Sequence, residues 1–227
     1  MKVSSYADGM TSPQYQRARS ADAKRERERA FLAAARETAV QRGVRAVTLT
    51  DVAAANGMHK SALLRYFETR EQMLLLLASE EWRAWSAEVR DRVERLPGEA
   101  DAADVAAVLA DSLVERPLFC DLLGHVPLSL ERNASLDAIR RYKIGTGEEV
   151  RAIAEAVRVH RPGITPSQGV DLVAAATSLA GAFWQMATPA APVAALYRSD
   201  PELAHAVVDV GPRLTRILAA YLRGLDR

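Results

Sequence analysis

Cationic and small polar side chains are concentrated on one face of a short predicted helix within residues 48–74. That face carries Lys60, Ser61, Ala62, Arg65 and Tyr66. Small residues let a helix approach the edges of bases closely, whereas long cations and a phenol reach phosphates and bases. This combination of side chains predicts contacts with double-stranded DNA.

The residue types that enzymes and metal sites use are scattered along the chain. The histidines are His59, His125, His160 and His205, and none pairs at helical spacing with another histidine or with the single cysteine, Cys120. The sequence contains neither a G-x-S-x-G motif nor a P-loop, and it offers no obvious carboxylate pair. Since no residue set supplies a nucleophile, a base and an orienting group, we expect no enzymatic activity, no metal and no cofactor.

Two short helices and a tight turn are predicted to position the cationic face. Thr48 is a good N-cap, and a helix of about two turns should follow it, because apolar residues recur at helical spacing. The inner face of this helix is Leu49, Val52 and Ala53. Asn56 and Gly57 then favour the left-handed backbone that ends a helix, so the chain must turn there.

The second helix carries the cationic face outside and an apolar face inside. Leu63, Leu64 and Phe67 form that inner face, and Thr69 caps a third helix with Gln72 completing a capping box. The layout is that of a helix-turn-helix. A plain three-helix unit with a solvated basic face is the alternative, but the tight turn and the cations outside the apolar wedge favour a DNA-reading unit.

The block 48–74 resembles the N-terminal domain of the TetR family of bacterial transcriptional regulators. Thr48 stands at the threonine of the family motif, Val52 and Ala53 at its Ile-Ala, and Gly57 at its turn glycine. The core residues of the motif match at Leu63 and Phe67, and the sequence 69–71, Thr-Arg-Glu, stands at its Ser-Lys-Glu. The chain departs from the usual family residues at Asn56, His59, Ser61 and Leu64.

The resemblance implies which side chains contact DNA. Phosphate contacts fall to Thr48, Lys60, Tyr66 and Arg70. Base-facing positions fall to Ser61, Ala62 and Arg65, with His59 at the start of the recognition helix. The resemblance also implies a homodimer on a palindromic operator.

Charge is distributed unevenly between the two parts of the chain. The formal net charge is only +1, but residues 1–76 hold 13 Lys+Arg against 8 Asp+Glu, and the remainder holds 17 against 21. The alternating run 24–29, KRERER, is typical of a solvated helix face. The excess of cations lies with the DNA-reading motif, as nucleic-acid binding requires.

Composition fits a cytoplasmic protein with a substantial core. The chain has 227 residues, of which 49% are hydrophobic, and its one cysteine excludes an intramolecular disulfide framework. It has neither the apolar core of a signal peptide nor an uninterrupted apolar run typical of a membrane span. We therefore expect no membrane association.

The periodicity predicts an all-α protein of about nine helices. Residues 1–21 should be a disordered arm, 22–75 the helix-turn-helix domain with its motif at 48–67, and 76–227 a helical domain for effector binding and dimerisation. Beyond the motif, helices are predicted over 22–42, 69–95, 102–116, 118–123, 128–160, 166–188 and 201–225, the last bent at Gly211-Pro212. Gly145 and Gly147 should mark a kink or a close packing point.

A C-terminal segment, 116–143, also resembles part of some TetR-like regulators, and the family implies two further sites. A small apolar ligand should lie among Trp82, Trp85, Phe119, Leu122, Leu123, His125, Tyr142 and Phe183. The last two helices should form the dimer interface through Val173, Thr177, Gly181, Trp184, Leu203, Val207, Val210, Leu214, Ile217 and Tyr221. These apolar residues could instead be core, and His125 could be an ordinary structural histidine.

Two functions remain open at this point. One is a regulator, in most family members a repressor, that a small apolar ligand releases from its operator. The other is a DNA-binding protein whose C-terminal domain serves only for dimerisation or for contact with a protein partner.

Overall fold

The computed structural model describes residues 13–98 and 100–225, and in that part of the chain it contains helices and turns but no strand. Nine of the described helices have seven residues or more, so the predicted all-α class is confirmed. The N-terminal helices are α1 (Pro13–Arg42), α2 (Leu49–Ala55), α3 (Lys60–Leu63) and α4 (Arg70–Glu94), with a 3-10 turn at Val44–Ala46 between α1 and α2.

The remaining helices follow α4 in close succession. They are α5 (Ala102–Val114), α6 (Pro117–His125), α7 (Leu136–His160), α8 (Pro166–Ala187), α9 (Ala191–Ser199) and α10 (Val210–Leu225). A π-helical segment, Val126–Leu130, extends α6, and a 3-10 segment, Pro201–Ala206, follows α9.

The helix-turn-helix unit is built around aromatic side chains. Phe31 on α1 packs edge-on against Phe67 and Tyr66, with ring centroids 6.2 and 5.2 Å away. Val52 and Leu63 are fully buried beside them. This packing fixes the angle between α2 and α3, and it therefore sets the outward face of the recognition helix.

Helix α4 runs from the helix-turn-helix unit into the second half of the protein and is buried along most of its length. Trp85 is its largest fully buried side chain and packs against Trp82 and Phe119, with ring centroids 5.5 and 5.6 Å away. The hydrophobic core is continuous along α4. The two halves are therefore joined by shared packing as well as by the backbone.

Glu81 on α4 joins three helices through ion pairs. It is 5% exposed, and it pairs with Arg36 of α1 and with Arg116 at the start of α6. A buried carboxylate is costly unless it is paired, so both arginines are needed where they lie. The ion pairs tie α1 of the helix-turn-helix unit to α4 and α6.

Helix α8 crosses the middle of the second half, between α6, α7 and α10. A Cβ on Gly181 would lie 2.8 Å from the backbone nitrogen of Gly124, and one on Gly169 would lie 3.1 Å from the Cβ of Ala154. Close helix packing therefore occurs at these two glycines, rather than at Gly145 or Gly147. Within the described residues, α8 alone is long and apolar enough to cross a membrane, but it occupies the position of an ordinary core helix here.

The N-terminal arm differs from the expectation. Residues 1–12 of the predicted disordered arm lie outside the described residues, but α1 begins at Pro13 rather than near Asp22. Proline is tolerated in the first turn of a helix, and good helix formers follow it. The polar composition of this stretch misled the prediction.

Two of the long C-terminal helices are shorter than predicted. The helix expected from Leu128 begins at Leu136, because Ser135 caps it and the chain turns over 131–134. The helix expected from Pro201 is interrupted over 207–209, so Pro212 falls in the first turn of α10. A proline there fits a straight helix, which makes the predicted bend at Gly211-Pro212 wrong.

Candidate DNA-contacting surface and ligand groove

The turn of the helix-turn-helix has the predicted left-handed backbone at Gly57 but not at Asn56, where φ is −99°. Gly57 has φ +64°, a conformation that other residues rarely adopt, and the Asn56 side-chain amide donates to the Val52 carbonyl at 2.8 Å. Thr48 caps α2 by accepting the Asp51 N–H at 3.1 Å. Thr69 caps α4 in the same way, but the Gln72 side chain accepts the Glu68 N–H (2.6 Å) instead of the Thr69 N–H.

The recognition helix α3 spans four residues, and a tight turn prolongs it to Phe67. The turn is tighter than α-helix because Arg65 and Tyr66 bond to carbonyls three residues back, at 3.3 and 2.9 Å. The exposed side chains here include His59, Lys60, Ser61 and Arg65, while Ala62 and Tyr66 are half-buried. Thr48 is exposed at the start of α2. These predicted DNA-contacting residues thus present one polar, cationic surface.

Arg70 does not belong to that surface. Its guanidinium donates to the carbonyls of Val47 (2.5 Å) and Val44 (2.8 Å) and pairs with Glu71 (3.0 Å). These partners turn the side chain towards the Val44–Ala46 turn. The phosphate contact predicted from the family motif is therefore replaced by a structural role, in which Arg70 holds that turn against α4.

Two cations on α1, which were not predicted, reach the candidate DNA-contacting surface. Lys24 and Arg27 border the same surface hollow as Arg65 and Tyr66, and Arg27 donates to the Tyr66 hydroxyl at 3.4 Å. Both belong to the run 24–29 that suggested a solvated face. The signal was their spacing: Lys24, Arg27 and Phe31 recur at i, i+3 and i+7, so the cations share the face whose Phe31 packs on Tyr66.

A groove of about 740 Å³ lies between α7 and α8 and is floored by α4 and the end of α6. We call it the α7–α8 groove. Apolar side chains line most of it, including Trp82, Leu123, Val150 and Val170. The Trp82 indole donates to the Tyr142 hydroxyl at 3.1 Å, which leaves that hydroxyl proton free to meet a ligand.

The groove includes only part of the predicted ligand site. Trp82, Leu123 and Tyr142 line it. The others are placed elsewhere: Trp85, Phe119 and Leu122 are fully buried core, Phe183 packs with Val208 and Val210, and His125 lies in a separate cleft. The sequence could not distinguish an aromatic residue of the core from one that lines the groove. The difference depends on which helix packs over each ring.

The separate cleft, of about 670 Å³, lies between the helix-turn-helix unit and the ends of α6 and α8. We call it the interdomain cleft. Asp121 is central to it: one carboxylate oxygen accepts the Val44 N–H at 2.7 Å, and the other accepts the Gln185 amide at 2.8 Å. Burial opposes ionisation of Asp121, but hydrogen bonds from His125, Val44 and Gln185 hold its pKa below the ordinary value. The same carboxylate raises the pKa of His125.

Half of the predicted dimer-interface residues are buried inside a single chain. Val173, Thr177, Gly181, Val210 and Leu214 are in this group. They cannot offer surface to a second copy, because α8 and α10 pack their apolar faces on neighbouring helices first. Trp184, Leu203, Val207, Ile217 and Tyr221 keep exposed or half-exposed surface and remain candidates.

The described residues give little support for metal or thiol chemistry. Within 13–98 and 100–225, no three residues among His, Cys, Asp and Glu lie together as a metal site would require. Burial raises the pKa of Cys120 to about 12, and its thiol donates to the Leu113 carbonyl at 3.2 Å. Cys120 is therefore an inert core residue.

One solved structure supports the fold. A protein from Rhodococcus sp. assigned as a TetR-family transcriptional regulator is 19% identical, with 88% of this chain and 96% of that chain covered and a TM-score of 0.50. A protein from Streptomyces coelicolor A3(2) assigned as a transcriptional regulator is 21% identical over the same shares, with a TM-score of 0.44. No curated protein sequence matches the chain.

Family profiles account for most of the sequence. The profile described as "Bacterial regulatory proteins, tetR family" matches residues 31–77, which contain the helix-turn-helix. The profile described as "Tetracyclin repressor-like, C-terminal domain" matches residues 79–227. Regulators of this kind are non-enzymatic DNA-binding proteins. The chain therefore belongs to the TetR family of bacterial transcriptional regulators.

Proposed function

We propose that this regulator is a cytoplasmic repressor that binds a palindromic operator as a two-fold dimer and is released by a small apolar molecule in the α7–α8 groove. The observation that carries the proposal is the position of Trp82. It floors the groove, and it lies on α4, the helix whose first residue, Arg70, holds the Val44–Ala46 turn.

The operator should be a palindrome because one recognition helix this short reads too few base pairs to be specific. Two copies related by a two-fold axis would place two recognition helices in successive major grooves. The half-sites should then lie about one helical turn apart, ~34 to 36 Å, or a multiple of that distance.

The groove suits a ligand that is mainly apolar with one or two polar groups. Its volume of about 740 Å³ is within the usual range for small-molecule sites. The free proton of the Tyr142 hydroxyl can orient a ligand oxygen, and Lys143 pairs with Glu131 at the rim, 2.6 Å apart. The interdomain cleft is the weaker candidate for this ligand, because charged side chains line much of it.

Helix α4 gives the groove a mechanical connection to DNA. Trp82 lies roughly 18 Å along α4 from Arg70, at 1.5 Å per residue. A ligand that tilts α4 would move the two recognition helices of a dimer apart. It can do so only through different affinities for the two arrangements, and a coupling of about 1 to 3 kcal/mol would weaken operator binding some 5- to 150-fold.

The test begins with selection of bound fragments from a genomic DNA pool, which yields the operator and, through neighbouring genes, candidate ligands. Each candidate is then titrated with and without operator, following tryptophan fluorescence. Operator must weaken ligand binding by the factor by which ligand weakens operator binding.

Two valines on α7 supply a groove-blocking variant and its control. Val150→Trp fills the groove, whereas Val159→Trp adds the same bulk at a residue that is 70% exposed on the same helix. Only Val150→Trp should abolish ligand binding, and Val159→Trp should keep both ligand binding and DNA binding. Suppose that Val150→Trp excludes a ligand, and that this ligand binds the unaltered protein equally well with and without operator. The C-terminal domain would then serve for dimerisation and not for regulation by a ligand.

A further inference from the structure

The side chain of Gln185 is shared by the α7–α8 groove and the interdomain cleft. It lies near the C-terminal end of α8 and lines both cavities. Its amide nitrogen donates to one carboxylate oxygen of Asp121, 2.8 Å away on α6. A group that enters this end of the groove therefore meets a side chain already bonded to the cleft behind it.

Asp121 in turn holds the backbone of the DNA-reading unit. Its second carboxylate oxygen accepts the Val44 N–H at 2.7 Å, and Val44 is fully buried. Gly43, with φ +83°, turns the chain out of α1 so that this N–H faces α6. The Val44 carbonyl accepts from Arg70 at 2.8 Å, so Val44 is bonded to α6 through its N–H and to α4 through its carbonyl.

Gly124 provides the space that Gln185 occupies. A Cβ on Gly124 would lie 2.8 Å from both Cγ and Nε2 of Gln185, which is closer than such atoms pack. Gly124 also lines the groove. The Gln185 amide can bond to Asp121 only while the space beside Gly124 stays free of other atoms.

We infer that Gln185 couples occupancy of the α7–α8 groove to the DNA-reading unit. A molecule that fills the groove beside Gly124 displaces the Gln185 amide from Asp121. The carboxylate then keeps only His125, 3.3 Å away, as a side-chain partner, and it turns towards His125 and releases the Val44 N–H. The Val44–Ala46 turn loses its anchor on α6, and α1 and α2 shift relative to the effector half. This inference rests on the proposed function, since it describes the regulation of the same groove.

Gly124→Ala imitates an occupied groove without a ligand, because the added methyl group collides with Gln185. Hydrogen exchange at the Val44 amide reports the anchor directly, since that N–H is the group bonded to Asp121. We expect Gly124→Ala to speed this exchange at least about fivefold and to weaken binding to the selected operator by about fivefold or more, the lower end of typical couplings.

The decisive comparison is a double-mutant cycle with Gln185→Ala. In that background Gly124→Ala should have no further effect, because the side chain that it displaces is gone. Gln185→Met keeps the bulk but removes the donor, and it should also speed exchange at Val44. Ser178→Ala, on the same helix and in the same groove, is the matched control and should leave Val44 unchanged.

Equal effects of Gly124→Ala with and without Gln185 would overturn the inference, as would an unchanged Val44 amide in Gln185→Met. Far-ultraviolet circular dichroism identifies any variant that fails to fold. If Gly124→Ala does not fold, the Val44 exchange rate in Gln185→Met tests the inference by itself. Exchange at Val44 is measured without DNA or ligand, so it does not depend on the proposed function. If the variants leave hydrogen exchange at Val44 unchanged while ligand and operator still weaken each other's binding, the coupling runs through α4 alone.

Discussion

We expect Arg70 to contribute more to the stability of the helix-turn-helix unit than to DNA affinity. Its guanidinium satisfies the Val44 and Val47 carbonyls, and charge-assisted bonds of this kind contribute about 1.5 to 3 kcal/mol each. Arg70→Ala should lower the free energy of unfolding by about 2 kcal/mol, because the buried Val47 carbonyl loses its donor and the Val44 carbonyl keeps only the Val47 N–H, 3.3 Å away. Chemical denaturation measures that change. If Arg70→Ala leaves stability unchanged but reduces the salt slope of DNA binding by about one unit, Arg70 contacts a phosphate after all.

Arg27 should contact a phosphate, although it lies outside the helix-turn-helix motif. It shares a hollow with Lys24, Arg65 and the Tyr66 hydroxyl, which gives a phosphate several donors at one point. Arg27→Ala should weaken binding to operator and to random DNA alike and reduce the salt slope by about one unit. Arg29→Ala removes the same charge from an exposed position of α1 outside the hollow, and it should change the slope less. Equal slopes for the two variants would make the hollow an ordinary solvated surface.

The start of α7 can be tested by the sign of a change in stability. Ser135 caps the helix by accepting the Ala138 N–H, so Ser135→Ala should destabilise the protein by about 1 kcal/mol. If the helix instead ran through from Leu128, Ser135 would lie in its interior, and alanine would stabilise it. Ser129→Ala, in the preceding π-helical segment, is the comparison. Thermal unfolding of the three proteins separates the two cases.

The sequence predicted helix boundaries correctly where a single residue determines the backbone conformation. Thr48, Gly57, Thr69 and Pro166 each set a helix boundary through a cap, a positive φ or a fixed φ, and each boundary is found as expected. The break over 207–209 could not be predicted in this way. There α10 packs on α5, and Phe183 packs against Val208 and Val210, so tertiary contacts decide where the helix starts.

The cavities are properties of the whole molecule, and the sequence could indicate them only in part. Trp82 and Tyr142 were expected near a ligand, and they meet because α4 and α7 pack along each other. Trp85 is three residues from Trp82 on the same helix, yet it faces α5, where its indole donates to Ser112 at 2.9 Å. The crossing of helices, which no local pattern encodes, separates a groove residue from a core residue.

Only half of the predicted interface residues keep exposed surface, so their role in dimerisation can be tested by single substitutions. Among the predicted interface residues, Ile217 on α10 is apolar and 38% exposed, so a second copy could still cover it. If a two-fold dimer covers Ile217, Ile217→Asp places a charge in the interface on both sides of the axis. Burying an unpaired carboxylate costs several kcal/mol, so the dimer dissociation constant should rise at least about tenfold, which corresponds to ~1.4 kcal/mol.

Leu136→Asp is the matched control, because Leu136 is 85% exposed at the start of α7, outside the predicted interface. Analytical ultracentrifugation at micromolar concentration should show a dimer for the unaltered protein and for Leu136→Asp, and monomer for Ile217→Asp. A monomer also loses the second recognition helix, so Ile217→Asp should bind the full palindrome no better than one half-site. A monomer for the unaltered chain under these conditions would contradict the proposed dimer. If both variants stay dimeric, the exposed face of α10 is not the interface. The two recognition helices would then have to be paired by another surface.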